Sequence, residues 1–186
     1  MTYEYGKDCP ITFKRLTSED ENILKEFRCD NLSIKDFIRN QSINSLKDVS
    51  YLFIDTENNI IVGFCSICCT GIQIVEKDIE NHLYSTLLPA IEIDFFAIDE
   101  RYRNLKFDED SDQYETLSSV IFLNVLEHIF KISNKVVGAT HICLYSVPKA
   151  ENFYARCGFR PFKDYMKRDE QPFLKGCIPM FLSMNE

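Results

Sequence analysis

The sequence predicts a mixed α/β fold, in which a central sheet is flanked by helices. Two apolar runs, 51–55 and 60–64, are separated by a short polar stretch, which is typical of an antiparallel hairpin. Further along, apolar runs at 90–98 and 141–147 flank a helical stretch, 114–131, that is apolar on most faces. A strand, a buried helix and a second strand predict a parallel crossover, because parallel neighbours need a long connection. The sheet is therefore expected to be mixed.

The N-terminal half completes the predicted order β-α-α-β-β-β-α-β-α-β-β. Residues 11–16 alternate apolar and polar side chains and are predicted to form the first strand. Ser18 and Glu21 fit a capping box that opens a short helix, and a second helix is expected at 33–40. The stretch 77–88 is ambiguous, with a short helix as one interpretation.

The C-terminal part is predicted to hold a helix and two strands. Pro148 stands in the first turn of a helix expected at 148–157, where proline is tolerated. Gly158 can adopt the left-handed conformation that ends such a helix. A strand is expected to begin at Phe162, and 178–184 is predicted as a last apolar strand whose pairing partner the sequence does not identify.

Composition restricts the classes of function. The chain has 186 residues, of which 45% are hydrophobic, and no repeat or linker, so one globular domain spanning 1–186 is predicted. The formal net charge of −8 argues against nucleic-acid partners, because a phosphate backbone binds to cationic surface. The same charge favours cationic substrates such as amines. The sequence has no apolar run of membrane-spanning length and no signal-peptide core at its polar N-terminus. We therefore expect a cytoplasmic protein that does not contact a membrane.

The eight cysteines are predicted to be free structural thiols. In a chain expected to be intracellular, small buried apolar groups are a simpler account than a disulfide framework. Cys65 and Cys68 have the spacing of zinc ligands, but no second pair follows and both lie in a predicted strand, 61–74. We therefore predict no metal site.

Three segments resemble the GNAT N-acetyltransferases. Residues 150–159 read AENFYARCGF, which is close to the family signature A-x-x-F-Y-x-x-x-G-F. Residues 91–103 read IEIDFFAIDERYR and resemble the fourth strand of the family and the start of its pyrophosphate loop. Residues 27–38 read FRCDNLSIKDFI and resemble a segment of the toxin-like branch. The resemblance covers most of the chain and implies the GNAT fold, a mostly antiparallel mixed sheet whose fourth and fifth strands run parallel and splay apart.

The resemblance implies acetyl-CoA as the co-substrate. In the family, the pantetheine arm lies in the splay and takes main-chain hydrogen bonds, as an added strand does. Backbone groups at Phe96, Ala97 and Ile98 are therefore expected to hold it. A backbone N–H there is also expected to polarise the thioester carbonyl.

Two residues are implied as catalytic. Tyr154 matches the tyrosine that many family members place beside the CoA sulfur, where a phenol can donate a proton to the departing thiolate. Glu92 matches the catalytic glutamate of the resembling histone acetyltransferases, and it is the expected base for the amine. Each has an alternative. Tyr154 belongs to a helical stripe of the kind that usually packs in a core, and Glu92 is equally well explained as facing water.

The pyrophosphate loop departs from the family pattern. The family reads R/Q-x-x-G-x-G/A before a helix, because glycine lets backbone N–H groups approach the phosphates. Here no glycine occurs between Gly71 and Gly138, and an acidic insertion lies at 108–112. Either basic and small side chains hold the phosphates instead, or the loop has lost its affinity for CoA. The residues expected to contact the pyrophosphate are Arg103, Asn104, Leu105, Lys106, Ser118 and Ser119.

Three functions fit these residues. The first is an N-acetyltransferase that acts on a primary amine of a small molecule or protein. The second is a non-catalytic GNAT-fold binding or regulatory module, which the glycine-free loop suggests. The third is a toxin-like acetyltransferase of aminoacyl-tRNA, which the 27–38 segment suggests and the net charge of −8 opposes. Family members are often dimers, so a homodimer is one expectation, although the sequence has no interface signature.

Overall fold

The computed structural model describes residues 2–5, 9–106, 116–162 and 174–184. Within these residues the chain forms eight strands and four α-helices, joined in places by short 3₁₀ and π-helical turns. The strands are β1 (Thr2–Tyr5), β2 (Cys9–Arg15), β3 (Val49–Asp55), β4 (Ile60–Lys77), β5 (Leu83–Ile98), β6 (His141–Ser146), β7 (Arg160–Pro161) and β8 (Ile178–Ser183). The helices are α1 (Glu21–Leu24), α2 (Leu32–Asp36), α3 (Leu117–Ile132) and α4 (Glu151–Arg156).

One compact unit contains residues 1–67 and 94–126. Its strands follow the order β1-β2-β3-β4-β5, and the ladders from β1 to β4 are antiparallel. Apolar residues of β3 and β4, such as Leu52 and Phe64, pack against Phe27 and Ile38 from the segment around α2. All four side chains are completely buried, and their removal from water stabilises this unit.

A second compact unit contains residues 68–93 and 127–186. Its strands follow the order β4-β5-β6-β8-β7. The β5–β6 ladder is parallel, with Ala90 opposite His141, whereas β6–β8 and β7–β8 are antiparallel. The core of this unit includes Ile72, Cys143 and Phe162 together with Ala90. The predicted mixed, mostly antiparallel α/β sheet is thus confirmed, and its two parallel strands are β5 and β6.

Three parts of the N-terminal prediction are corrected. The strand β1 was not predicted. The capping box uses Thr17 and Asp20 instead of Ser18 and Glu21, because Thr17 has the extended backbone of an N-cap (φ −133°, ψ 171°). The Thr17 N–H and hydroxyl both donate to the Asp20 carboxylate, at 3.0 and 3.1 Å. The second helix begins at Leu32 and becomes π-helical after Asp36, over Phe37–Gln41.

The interpretation of 77–88 as a helix is wrong, since these residues form the outer part of the β4–β5 hairpin. The Asp78 carboxylate accepts from the N–H groups of Glu80 and His82, at 2.9 and 2.8 Å, and so closes the turn. Asn81 has a positive φ of 65°, which asparagine tolerates better than most residues. The predicted hairpin of 51–55 and 60–64 is confirmed, and both of its strands are longer than predicted.

The C-terminal helices and strands are of the predicted types, but their bounds differ from the predicted ones. Helix α3 runs over Leu117–Ile132, and the predicted start at residue 114 lies outside the described residues. The last strand, β8, pairs with β6 and β7, which the sequence did not identify. Strand β7 covers Arg160–Pro161, just before the expected start at Phe162. The prediction of a single domain over 1–186 stays a prediction.

Among the described residues, none of the helices is long and apolar enough to span a membrane.

Candidate functional site

The predicted pantetheine-binding residues lie at the C-terminal end of β5, in the first unit. The ladder between β5 and β6 covers Ala90 to Ile93, and β5 continues as a strand to Ile98. The last two residues of β5 are buried. Phe96 packs edge-to-face on Phe122 of α3, with ring centroids 4.9 Å apart. Packing of these side chains therefore fixes the position of the strand backbone.

A buried carboxylate holds the turn that follows β5. Asp99 is completely buried and accepts from the Arg28 N–H at 2.8 Å and the Arg101 N–H at 3.0 Å. The Arg101 guanidinium donates two further bonds to it, at 2.7 and 2.8 Å. Burial by itself raises the pKa of Asp99, but these hydrogen bonds outweigh burial, so the pKa lies below its ordinary value. Asp99 thereby ties the end of β5 to the segment before α2.

Two more acidic residues anchor the same turn. The Tyr102 hydroxyl donates to the Asp55 carboxylate at 2.9 Å. The Arg103 guanidinium donates to both oxygens of Asp30, at 3.0 and 3.2 Å. This hydrogen bonding raises the pKa of Arg103, although burial opposes the shift. Arg103 is therefore oriented by Asp30, and its side chain stays 38% exposed.

The predicted phosphate-binding loop is tied by internal hydrogen bonds to the start of α3. The Ser118 hydroxyl donates to the Arg103 carbonyl at 2.9 Å, and the Leu117 N–H donates to the Leu105 carbonyl at 3.0 Å. Lys106 and Thr116 form an isolated β-bridge. The loop residues and the serines predicted to act with them are thus brought together. The acidic insertion at 108–112 lies outside the described residues.

Some of the polar groups at the start of α3 already form hydrogen bonds within the protein. The Ser119 N–H donates to the Thr116 carbonyl at 2.9 Å, and the two residues' hydroxyls lie 3.0 Å apart. Phosphates bound at helix N-termini rely on backbone N–H groups that have no intrahelical partner. A pyrophosphate bound at the start of α3 would have to displace these internal hydrogen bonds, or take more of its own hydrogen bonds from the side chains of the loop.

Tyr154 lies in α4, in the second unit. Its side chain is 9% exposed and packs edge-to-face with Phe153 and Phe159, at centroid distances of 5.2 and 6.1 Å. Pro148 opens the preceding 3₁₀ turn as predicted, and Gly158 has a φ of +90°. Because a left-handed residue follows α4, the chain turns back and the Phe159 N–H donates to the Tyr154 carbonyl at 3.1 Å. The ring of Tyr154 is held by packing against two phenylalanines.

Glu92 is 1% exposed and lies on β5 opposite Cys143 of β6. The alternative in which Glu92 faces water is therefore wrong. A buried carboxylate is a candidate for proton transfer, because enzymes tune such groups by burial and neighbouring charge. Two residues further along β5, the nearly buried Asp94 carboxylate accepts from the Lys47 ammonium at 2.9 Å. That ion pair gives Asp94 a structural partner.

The segment 27–38, which resembles the toxin-like branch, has structural roles here. Phe27 is completely buried in the core of the first unit. The Asn31 side chain caps α2 by accepting from two N–H groups, at 3.1 and 3.2 Å. Asp30 contacts Arg103, as described above. Sequence reasoning assigned no role to Asp30 or Asp99, because Arg103, the partner of Asp30, and Arg28, one of the two partners of Asp99, are about 70 residues away along the chain.

The seven cysteines for which the structure gives a state are free. Burial raises the pKa of the Cys65 thiol far above its ordinary value, which makes it a poor metal ligand or nucleophile. No group of three or more potential metal ligands occurs within the described ranges of the chain.

Solved structures with the same architecture cover nearly the whole chain. The AtaT mutant toxin is 14% identical and covers 100% of this chain and 95% of its own, with a TM-score of 0.70. AtaT complexed with acetyl-methionyl-tRNAfMet is 16% identical, with coverages of 94% and 95% and a TM-score of 0.67. NAA60 of Arabidopsis thaliana, in complex with acetyl-CoA, is 16% identical, with coverages of 95% and 99% and a TM-score of 0.52.

No protein-family model and no curated protein matches the sequence. The architecture nevertheless agrees with the family that the Tyr154 helix and the β5 strand resemble. The chain has the fold of the GNAT acetyltransferases.

Proposed function

We propose that this protein transfers the acetyl group of acetyl-CoA to a primary amine. The observation that carries the proposal is the match, over nearly the full length of both chains, to an acetyltransferase solved with acetyl-CoA. Two local features support it. The Tyr154 side chain lies in the helix that carries the family signature, and β5 continues past its ladder with β6 to Ile98.

The residues support a direct transfer. The neutral amine attacks the thioester carbonyl carbon, and the carbon–sulfur bond breaks as the new carbon–nitrogen bond forms. Glu92 accepts the proton that the ammonium form of the amine must lose before it attacks, and Tyr154 donates its phenolic proton to the departing thiolate. The attacking nitrogen releases a second proton as the amide forms, and that proton restores the Tyr154 phenol. Backbone N–H groups at Phe96, Ala97 and Ile98 are suited to hold the pantetheine arm and to stabilise the developing oxyanion. The products are the N-acetylated amine and CoA.

In the proposed pyrophosphate site, basic side chains take the role that the backbone N–H groups of a glycine-rich loop have in the family. The Arg103 guanidinium is bidentate to Asp30, and both side chains are partly exposed, at 38% and 48%. Exposed ion pairs contribute about 0–1 kcal/mol, so a phosphate can replace Asp30 at little cost. An Arg–phosphate pair is also commonly bidentate, which matches the orientation that Asp30 imposes. Lys106 and Asn104 lie in the same turn of the chain and complete the proposed contact surface.

Isothermal titration with acetyl-CoA tests the cofactor site directly. Micromolar binding is expected. Desulfo-CoA, which keeps the pyrophosphate but has no thioester, and free pantetheine, which has no pyrophosphate, separate the two contributions. A titration without heat at saturating acetyl-CoA would contradict catalysis. It would favour a GNAT-fold binding or regulatory module instead.

Arg103→Ala is expected to weaken acetyl-CoA binding about tenfold, because a charge-assisted bidentate contact is lost. The measurement is the Kd at two salt concentrations, since the loss should shrink as salt screens the phosphate contact. Lys25→Ala is the matched control, because Lys25 is an exposed cation of the same unit paired with Glu21. Equal Kd values for Arg103→Ala and the unaltered protein would remove Arg103 from the site.

Glu92→Gln is expected to lower kcat/KM about 100-fold at neutral pH, at the lower end of the range typical of a lost general base. The loss should diminish at higher pH, where more of the amine is already deprotonated. The measurement is a pH profile of kcat/KM for both proteins with one amine. A pH-independent loss would indicate that Glu92 supports the fold instead of accepting the proton.

A second candidate acceptor is the amino group of an aminoacyl-tRNA. The higher TM-score against AtaT complexed with acetyl-methionyl-tRNAfMet, 0.67 compared with 0.52 for NAA60, favours it. The resemblance of 27–38 to the toxin-like branch also favours an aminoacyl-tRNA acceptor. The net charge of −8 opposes it, because binding to a phosphate backbone needs cationic surface.

Parallel assays separate the two acceptors. The protein is incubated with labelled acetyl-CoA and either charged tRNA, uncharged tRNA or a panel of small amines and lysine peptides. Label on charged tRNA only, falling steeply with salt, would establish the tRNA acceptor. Label on small amines or peptides at equal rates in low and high salt would exclude a tRNA-specific enzyme.

A further inference from the structure

Two carboxylates of the first unit lie around a single lysine ammonium. The Lys47 ammonium is 2.9 Å from the Asp94 carboxylate of β5 and 3.8 Å from the Asp48 carboxylate, which lies just before β3. The side chains of Asp94 and Asp48 are 8% and 3% exposed, whereas that of Lys47 is 51% exposed. Two nearly buried carboxylates therefore share one ammonium group that water can reach.

Two buried hydroxyls lie next to this cluster. Ser50 is two residues beyond Asp48, and the β3–β4 ladder places it opposite Ser66. Ser50 and Ser66 are 5% and 0% exposed, and neither hydroxyl forms a hydrogen bond within the described part of the chain. A buried hydroxyl without a partner is costly, so such groups usually bind a ligand or an ordered water. The serine pair is thus a sign, independent of the charges, that a polar group binds here.

Aromatic rings lie beside the same cluster. Phe95 directly follows Asp94 along β5 and stacks on Phe37, with ring centroids 4.0 Å apart. Phe37 also packs edge-to-face on Phe64, with centroids 6.2 Å apart. Because side chains two residues apart on a strand point to the same face, Phe64 and Ser66 lie on one face of β4. The region therefore combines carboxylates, hydroxyls and aromatic rings, all of which can bind an ammonium group.

The nitrogen held by such a cluster is not the nitrogen that is acetylated. A carboxylate favours the charged form of a bound amine, and the charged form has no lone pair with which to attack a thioester. An acceptor bound here therefore needs a second amino group that is free to lose its proton and react. The hydrogen bond between Lys47 and Asp94 shows that an alkylammonium fits beside this carboxylate.

We propose that Asp48 and Asp94 anchor one ammonium group of a diamine, in the place that the Lys47 ammonium takes here, while the other amino group of the diamine accepts the acetyl group. The anchored nitrogen keeps its proton throughout the transfer. Lys47 leaves readily, because an ion pair with a half-exposed lysine is weakly stabilising. Asp94 precedes Phe96 by two residues on β5, so the anchor adjoins the strand end expected to hold the pantetheine arm. The inference rests on the proposed acetyl transfer and specifies its acceptor.

Calorimetric titration with putrescine, a four-carbon diamine, tests the anchor without catalysis. Binding is expected for putrescine and not for butanediol, which has the same carbon chain and no charge. Lys47→Met is expected to tighten putrescine binding about tenfold, because the competing ammonium is removed and the side-chain length is kept. Asp94→Asn is expected to weaken binding at least tenfold, because the ammonium loses a nearly buried charged partner.

The ion pair of Lys14 and Asp20 provides matched controls. It lies in the same unit, with a distance of 2.6 Å and side-chain exposures of 39% and 6%. Lys14→Met and Asp20→Asn should therefore leave the Kd for putrescine unchanged, and circular dichroism checks that all four variants are folded. Failure of putrescine to bind both the unaltered protein and Lys47→Met would overturn the anchor, whether or not the protein transfers acetyl groups.

Turnover distinguishes this inference from the proposed function. The kcat/KM for putrescine is expected to exceed that for butylamine at least tenfold, because only the diamine has an anchoring nitrogen in addition to the reacting one. Asp94→Asn should remove this preference. Equal kcat/KM values for the two amines would overturn the diamine as acceptor while establishing acetyl transfer. CoA release with neither amine would contradict the diamine as acceptor, and the wider amine panel then decides on acetyl transfer itself.

Discussion

Replacing Tyr154 by phenylalanine is expected to lower kcat about 100-fold and to leave the Kd for acetyl-CoA nearly unchanged. The substitution removes the phenolic proton proposed for the departing thiolate. It keeps the ring, which packs against Phe153 and Phe159. The measurement is steady-state CoA release with the best amine of the panel, together with calorimetric titration of acetyl-CoA.

The matched control for this experiment is Tyr145→Phe. Tyr145 is a half-buried tyrosine of β6 in the same unit, so it tests the general cost of losing a hydroxyl there. Equal losses for both variants would assign Tyr154 to packing, as the helical stripe alone would suggest. A selective loss in kcat for Tyr154→Phe would establish it as the proton donor.

Asp99→Ala is expected to lower the free energy of unfolding by about 3 kcal/mol. Asp99 is completely buried, and its loss leaves the N–H groups of Arg28 and Arg101 and the Arg101 guanidinium without their acceptor. Removing one partner of a buried, hydrogen-bonded charge is among the costliest single changes. The measurement is urea unfolding at neutral pH. Glu100→Ala is the control, because Glu100 is the exposed neighbouring carboxylate.

The stabilisation by Asp99 is expected to depend on pH. Its pKa is lower in the folded state than in the unfolded chain, so the stabilisation is present above the unfolded value of about 4. It is lost as the pH falls through the lower folded value. Comparing Asp99→Asn with the unaltered protein should therefore give a stability difference that is large at pH 7 and diminishes below about pH 4. A difference that grows on acidification would contradict the assigned direction of the shift.

Asp99 also connects stability to the proposed cofactor site. The turn that it holds leads to Tyr102 and Arg103, each of which has an acidic partner of its own. Without glycines in the loop, the position of the basic side chains depends on these contacts. We expect Asp99→Asn to weaken acetyl-CoA binding as well as stability, whereas Glu100→Ala should change neither.

Features that depend on local chemistry can be predicted from the amino-acid sequence. The hairpin at 51–64, the buried helix between two strands, and the Pro148 to Gly158 helix with Tyr154 follow from patterns within about 20 residues. Those patterns were sufficient for the fold class and for the resemblance to GNAT acetyltransferases.

Features that depend on distant parts of the chain become visible in the folded protein. The pairing of β8 with β6, the burial of Glu92 and the contacts of Asp30 and Asp99 with the turn after β5 join segments far apart in sequence. The interpretation of 77–88 failed for the same reason, since strand pairing, and not local propensity, makes this segment a strand. Local periodicity reports which face of an element is apolar, whereas the partner of each polar group depends on which elements the fold brings together.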